Sequence, residues 1–114
     1  MHAIHLADLP HDKVRPVLVL TRDAVREHRR FVTVAPITSR VRGLVSEVLV
    51  GPRNGLDHES VVNCDNLATI DKAHLRQQIG TLHADQEAEL ARAHRRSVRS
   101  RLGSALTPIS GQRG

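Results

Sequence analysis

Apolar positions in this 114-residue chain fall into short runs, and turn-forming residues separate one run from the next. An opening segment carries Ile4 and Leu6 on one face and stops near Asp8-Leu9-Pro10. "VLVL" at 17–20 is unbroken, the mark of a strand covered on both faces. "FVTVAPITS" at 31–39 sets Phe31, Thr33 and Ala35 against Val32 and Val34, and Pro36 disfavours a central strand beyond it. "LVSEVLV" at 44–50 lies between Gly43 and "GPRNG", whose Asn54-Gly55 pair signals a tight turn. "SVVNC" (60–64) and "QIGTL" (78–82) complete the predicted strands.

The polar stretches read differently. "REHRR" (26–30) is a solvated connection, and "DKAHLRQQ" (71–78) predicts one or two helical turns with Asp71 as N-cap. From about His83 the spacing becomes helical. Asp85, Glu87 and Glu89 fall early in that segment and arginines late, in agreement with the helix dipole. "GSALTPISGQRG" is rich in Gly, Ser and Pro, so residues 1–102 read as a single domain and 103–114 as a flexible tail. Several short strands and one late helix predict a mainly β, α+β domain: an antiparallel barrel with helices at its edge.

Composition narrows the function classes. Phe31 is the single aromatic residue, so the core is aliphatic, and readers that stack RNA bases on surface aromatics are disfavoured. Cys64 is alone and cannot form an internal disulfide, and no Cys/His spacing suggests a metal site. No apolar run approaches the roughly 18 residues of a membrane span, and the start lacks a signal-peptide pattern. The expected setting is the cytoplasm, with no membrane partner and no cofactor. A formal net charge of +5 fits a polyanion or an acidic protein. Much of the positive charge lies late: Arg92, Arg95, Arg96 and Arg99 recur at helical spacing, with Arg101 beyond them.

Three places carry candidate chemistry. Arg15 precedes Pro16, which biases it away from helix and gives the side chain a defined exit from the end of a buried strand. A guanidinium fork suits bidentate phosphate contact. Thr38-Ser39 follows Pro36 at a strand end, and Asp65-Asn66 follows "SVVNC"; either pair also makes an ordinary turn. His28 and His58 lie on predicted loops and read as surface residues, and Cys64 reads as a core thiol.

Taken in order, "VRPVLVLTRD", "VAPITS", "GLVSEVLV", "SVVNCDNLATI" and "IGTL" before a helix resemble the MazF/PemK family of toxin endoribonucleases. The compact mycobacterial-type members also read "RPVLVLTR" and "VTVAPIT". The resemblance spans about residues 4 to 90. It implies an SH3-like antiparallel β-barrel of the MazF/PemK/CcdB type with a C-terminal helix, assembled as a homodimer. It further implies sequence-specific, metal-independent cleavage of single-stranded RNA, inhibition of translation, and a MazE-type antitoxin as partner. By motif position Arg15 and Thr38 match the family's catalytic pair, Ser39 lies beside them, and Asp65-Asn66 take the place of an acidic-amide pair near bound RNA. The opening "MHAIHLADL" lacks the glycine and aromatic of most members, and "PHDKV" is a shortened loop. Two other readings share the pattern: a non-enzymatic toxin of CcdB type, disfavoured because the chain has no tryptophan, and an RNA-binding module that does not cut.

Overall fold

The computed structural model describes residues 1–9, 13–22 and 27–106, with side chains described up to residue 98. Among the described residues, seven strands precede one helix: β1 (Ala3–Asp8), β2 (Val14–Val19), β3 (Phe31–Thr38), β4 (Glu47–Val50), β5 (Ser60–Asn63), β6 (Ala68–Asp71), β7 (Leu75–Thr81) and α1 (Ala84–Leu106). Single 3-10 turns occupy Pro52–Asn54 and Lys72–His74. All pairings are antiparallel, in the order β4-β5-β3-β2-β1-β7, with β6 also on β3. This is the mainly β architecture with a C-terminal helix that the pattern predicts. It takes the form of a curled sheet.

The unbroken run in β2 is explained by burial on both faces. Leu18 joins Ile4, Ala35, Ile37, Val48, Val62 and Cys64 in one apolar cluster, which α1 closes with Leu90 and Ala93. Val17 and Val19 face the other way, into a second cluster with Ala7, Val32, Val34 and Ile70. Aliphatic side chains fill both. Each fully buried Val or Leu contributes about 1.5–3 kcal/mol relative to exposure.

β3 belongs to three pairings, with β6 along Phe31–Val34 and with β2 and β5 further on, and this overturns the expectation for Pro36. It pairs with β2 from Val34 to Pro36 and with β5 at Ile37 and Thr38. Proline cannot donate to a ladder. It therefore sits where the strand changes partners, and the strand continues past it.

Other boundaries differ from the sequence pattern. Leu44 and Val45 lie outside β4, in a loop whose backbone is fastened by the Glu47 carboxylate, which accepts from Arg42 N and Leu44 N at 3.1 Å each. β6 is short and half exposed and gives no clear alternation. Asp71 caps as expected, accepting from Ala73 N at 2.9 Å, but only Lys72–His74 turns before Leu75 enters β7. Pairing with β1, with register shifts on either side of His5, takes Leu75–Gln78 into the sheet. Helix α1 carries Asp85 and Glu87 in its first turn, as the dipole favours. Arg92, Arg95 and Arg96 are exposed while Leu90, Ala93 and Ser97 are buried, so the basic stripe faces away from the sheet. The Arg99 and Arg101 side chains, Arg26 of the polar connection, and the tail beyond residue 106 lie outside the described residues.

Candidate active site

The site is built where β2 and β3 part. Val17 opposes Pro36 in the antiparallel register. Beyond that pair the two strands part, and Arg15 and Thr38, each two residues further along its strand, line the same hollows there. β1 supports this end from its other side, with Ala7 opposite Arg15 and Leu6 opposite Pro16. Arg15 is therefore exposed at the end of a strand whose next residues are buried on both faces.

Two hollows meet at this pair. The larger, about 500 Å³, has an aliphatic floor of Leu6, Pro16, Ile37, Leu56 and Ile79. Lys13, Arg15, Thr38, Ser39, Asp57 and His58 form its polar rim. The second, about 310 Å³, is lined by Arg15, Thr38, Arg40, Arg42, Glu47, Asn63 and Asn66 together with Leu9, Pro36 and Ile37. Three arginines against one carboxylate make the second hollow a surface for anions. The Thr38 hydroxyl accepts from Arg40 N at 3.2 Å, which fixes its oxygen and leaves its own proton to donate. A hydroxyl proton and a guanidinium at the boundary of two hollows can both be directed at an oxyanion.

The residues singled out in the sequence fare differently. Arg15, Thr38 and Ser39 come together on the larger hollow, and Asn66 meets Arg15 and Thr38 on the smaller. Asp65 is turned toward the helix. Its Oδ2 accepts from the Ser46 hydroxyl, and Ser97 Oγ on α1 lies 2.6 Å from Oδ1 and 3.0 Å from Cys64 O, so its one proton serves either. Asp65 thus ties the β4 and β5 ends to α1 and lines neither hollow. Cys64 is buried, and its thiol is pushed up to about 11, first by desolvation and then by the Asp65 charge. That is the chemistry of a core thiol.

Sequence reasoning missed the wall of the larger hollow. Gly55 adopts φ +88, and a Cβ there would lie 1.9 Å from Ile79 O. A Cβ on Gly80 would in turn lie 1.8 Å from Asn54 O. Backbone touches backbone at this crossing, and the loop leaving it sets Leu56, Asp57 and His58 on the hollow. A buried amide pair fastens the crossing from behind. Asn54 Nδ2 donates to Gln86 Oε1 (2.7 Å) and Thr81 O (2.9 Å), and Gln86 Nε2 donates to Asn54 Oδ1 and Leu49 O (3.0 Å each). The one available signal was Asn54-Gly55 itself, which announces a turn but not what it approaches.

Among the described residues, no group of three or more His, Cys, Asp or Glu side chains is placed to hold a metal ion. Among them too, no helix is long and apolar enough to cross a membrane.

Comparison with known proteins agrees with this fold. A family model described as PemK-like, MazF-like toxin of type II toxin-antitoxin system matches residues 3–98. Endoribonuclease MazF3 of Mycobacterium tuberculosis is 57% identical over 93 residues, covering 82% of this chain and 88% of that protein. The structure of Mycobacterium tuberculosis toxin MazF-mt6 matches with a TM-score of 0.81 at 54% identity, over 85% of this chain and 96% of that one. A MazE-MazF structure from Deinococcus radiodurans matches with a TM-score of 0.63 at 29% identity, over 92% and 90% of the two chains. On the strength of the matched span and of that identity, the chain belongs to the PemK-like, MazF-like toxins of type II toxin-antitoxin systems.

Proposed function

We propose that this chain is the toxin of a type II pair and cuts single-stranded RNA in the cytoplasm, sequence-specifically and without a metal ion, so that translation is inhibited. The observation that carries the reading is the meeting of Arg15 and Thr38 across the open end of β2 and β3, on the boundary of a basic hollow and an aliphatic one.

RNA brings its own nucleophile. The 2′-hydroxyl attacks the adjacent phosphorus, the P–O5′ bond breaks, and the products are a 2′,3′-cyclic phosphate and a 5′-OH. The protein has to hold the chain in line and stabilise charge on the phosphoryl oxygens. Arg15 does so as a permanent cation, and the Thr38 hydroxyl donates to the same oxygens. Ser39 and Asn66 flank the pair and contact neighbouring nucleotides. Asp65 contributes to RNA binding by fixing the turn that carries Asn66. Unpaired bases enter the aliphatic hollow, where shape rather than stacking on aromatics discriminates them.

The same proposal names two protein partners. A MazE-type antitoxin offers acidic and apolar residues to the basic hollow. A second copy of the chain covers Val41, Leu44 and Leu49, which are exposed together beside the α1 carboxylates Asp85 and Glu89.

The test is incubation of the purified protein with a long RNA in EDTA. Discrete fragments with 5′-OH ends are expected. Intact RNA would leave a binding module or a toxin of CcdB type. Arg15→Ala is expected to lower cleavage at least about 10³-fold with an unchanged circular dichroism spectrum. Thr38→Ala loses one hydroxyl donor and is expected to fall about 10²–10³-fold. Full cleavage by the arginine variant removes the assignment.

A further inference from the structure

We propose that His58 is the general base of this groove, taking the proton from the attacking 2′-hydroxyl. The inference rests on the reading of Arg15 and Thr38 given above, which leaves proton transfer unassigned. As O2′ bonds to phosphorus and the P–O5′ bond breaks, the 2′-hydroxyl proton passes to the neutral imidazole. The departing 5′-oxygen takes a proton from solvent water, and His58 returns its own proton to solvent. Atoms and charge balance with no further reagent.

The groove itself selects the residue. Arginine is not deprotonated in proteins, and the threonine hydroxyl is far too weak a base. Facing His58 across the larger hollow are Lys13 and Arg15 from the start of β2, with Asp57 beside it on its own loop. β1 and β7 contribute only Leu6 and Ile79, β3 and β5 contribute Ile37, Thr38 and Ser60, and Ser39 follows β3. A carboxylate is in general a weaker base than imidazole, and an ammonium has no lone pair to offer. The other described histidines line neither hollow. His2 is held by Glu87, His5 by Arg76 O and His83 by Arg53 O.

Position agrees with the role. His58 is three residues beyond Gly55, where the backbone crossing with β7 admits no side chain. The buried Ser60 hydroxyl donates to His58 O at 3.3 Å, so the loop is held on both sides of the ring. The ring is exposed, which lets it exchange its proton with solvent between turnovers.

The experiment uses the full chain and an RNA whose cut sites have first been mapped with the unaltered protein. His58→Gln is expected to lower kcat about 10²–10⁴-fold with KM within about threefold. The acidic limb of the kcat profile, on which the rate climbs as pH rises, is expected to vanish in that variant. Added imidazole is expected to restore part of the activity of His58→Ala, which a purely structural loss would not allow. A 5′-thio leaving group, which needs no protonation, is expected to rescue neither variant.

Retention of the acidic limb in His58→Gln, a kcat within about threefold of the unaltered protein, or rescue by the sulfur leaving group overturns the assignment. These results are separable from failure of the underlying site. If Arg15→Ala cuts normally, the groove reading falls; if Arg15→Ala is inactive and His58→Gln cuts normally, only the base is wrong.

Discussion

Arg15 and Thr38 sit between two walls made on opposite plans. The wall carrying Leu56, Asp57 and His58 leaves a crossing where Gly55 and Gly80 let two backbones touch, backed by the buried Asn54–Gln86 amide pair. The wall carrying Arg40 and Arg42 is a loop held by the surface carboxylate of Glu47, and it exposes Val41, Leu44 and Val45. Val45 is 65% exposed, whereas Asn54 is 1% exposed. On the proposed function, the difference separates two tasks. A fixed wall presents groups at a set distance from a reacting phosphate. A wall of arginines and bare aliphatics receives chains of variable course, whether RNA or protein.

The contrast can be broken from either side. Gly55→Ala places a methyl group against Ile79 O in a backbone conformation that alanine disfavours, and is expected to cost about 3 kcal/mol or more. Urea unfolding measures that cost, and a variant as stable as the unaltered protein would show that the crossing is soft. Gln86→Leu strips partners from Asn54, from Leu49 O and from His83 N, which now donates to Gln86 Oε1 at 2.9 Å. Stability is expected to fall by about 2 kcal/mol, with a drop in kcat exceeding any change in RNA affinity. Glu47→Ala frees the opposite loop. There unfolding is expected to shift by under about 1 kcal/mol, while KM and its salt dependence change and kcat holds. A kcat loss as large as that of Gln86→Leu would mean the two walls are not distinct in kind.

How much of this was legible follows from where the deciding contacts lie along the chain. The buried strand of Val17, Leu18 and Val19 was legible because burial on both faces writes itself into consecutive residues. Asp71 as a cap and Asp85 and Glu87 in the first helical turn were legible because those interactions are local. β6 and the first half of β7 were not. Lys72, Ala73, His74, Leu75, Arg76, Gln77 and Gln78 suit a helix individually, and only pairing with β1, some seventy residues earlier, makes Leu75–Gln78 a strand. Pro36 misled for a related reason: its missing donor marks a change of partner, which neighbouring residues do not encode.

At the site, Arg15 stood out beside Pro16, and Thr38 and Ser39 stood at a strand end. Asp65 carried the same turn signature as Asn66, yet faces Ser46 and Ser97 because α1 passes on that side. His58 was read as a surface residue, and it is exposed. What raised its standing is the company it keeps in the larger hollow, which depends on two glycines twenty-five positions apart.

The partner change at Pro36 has a consequence for tuning. Because β2 and β3 diverge just beyond that residue, the spacing between guanidinium and hydroxyl is inherited from the angle at which two ladders separate. Replacements well behind Arg15 and Thr38, at the corner itself, can therefore open or narrow the gap while both side chains stay the same.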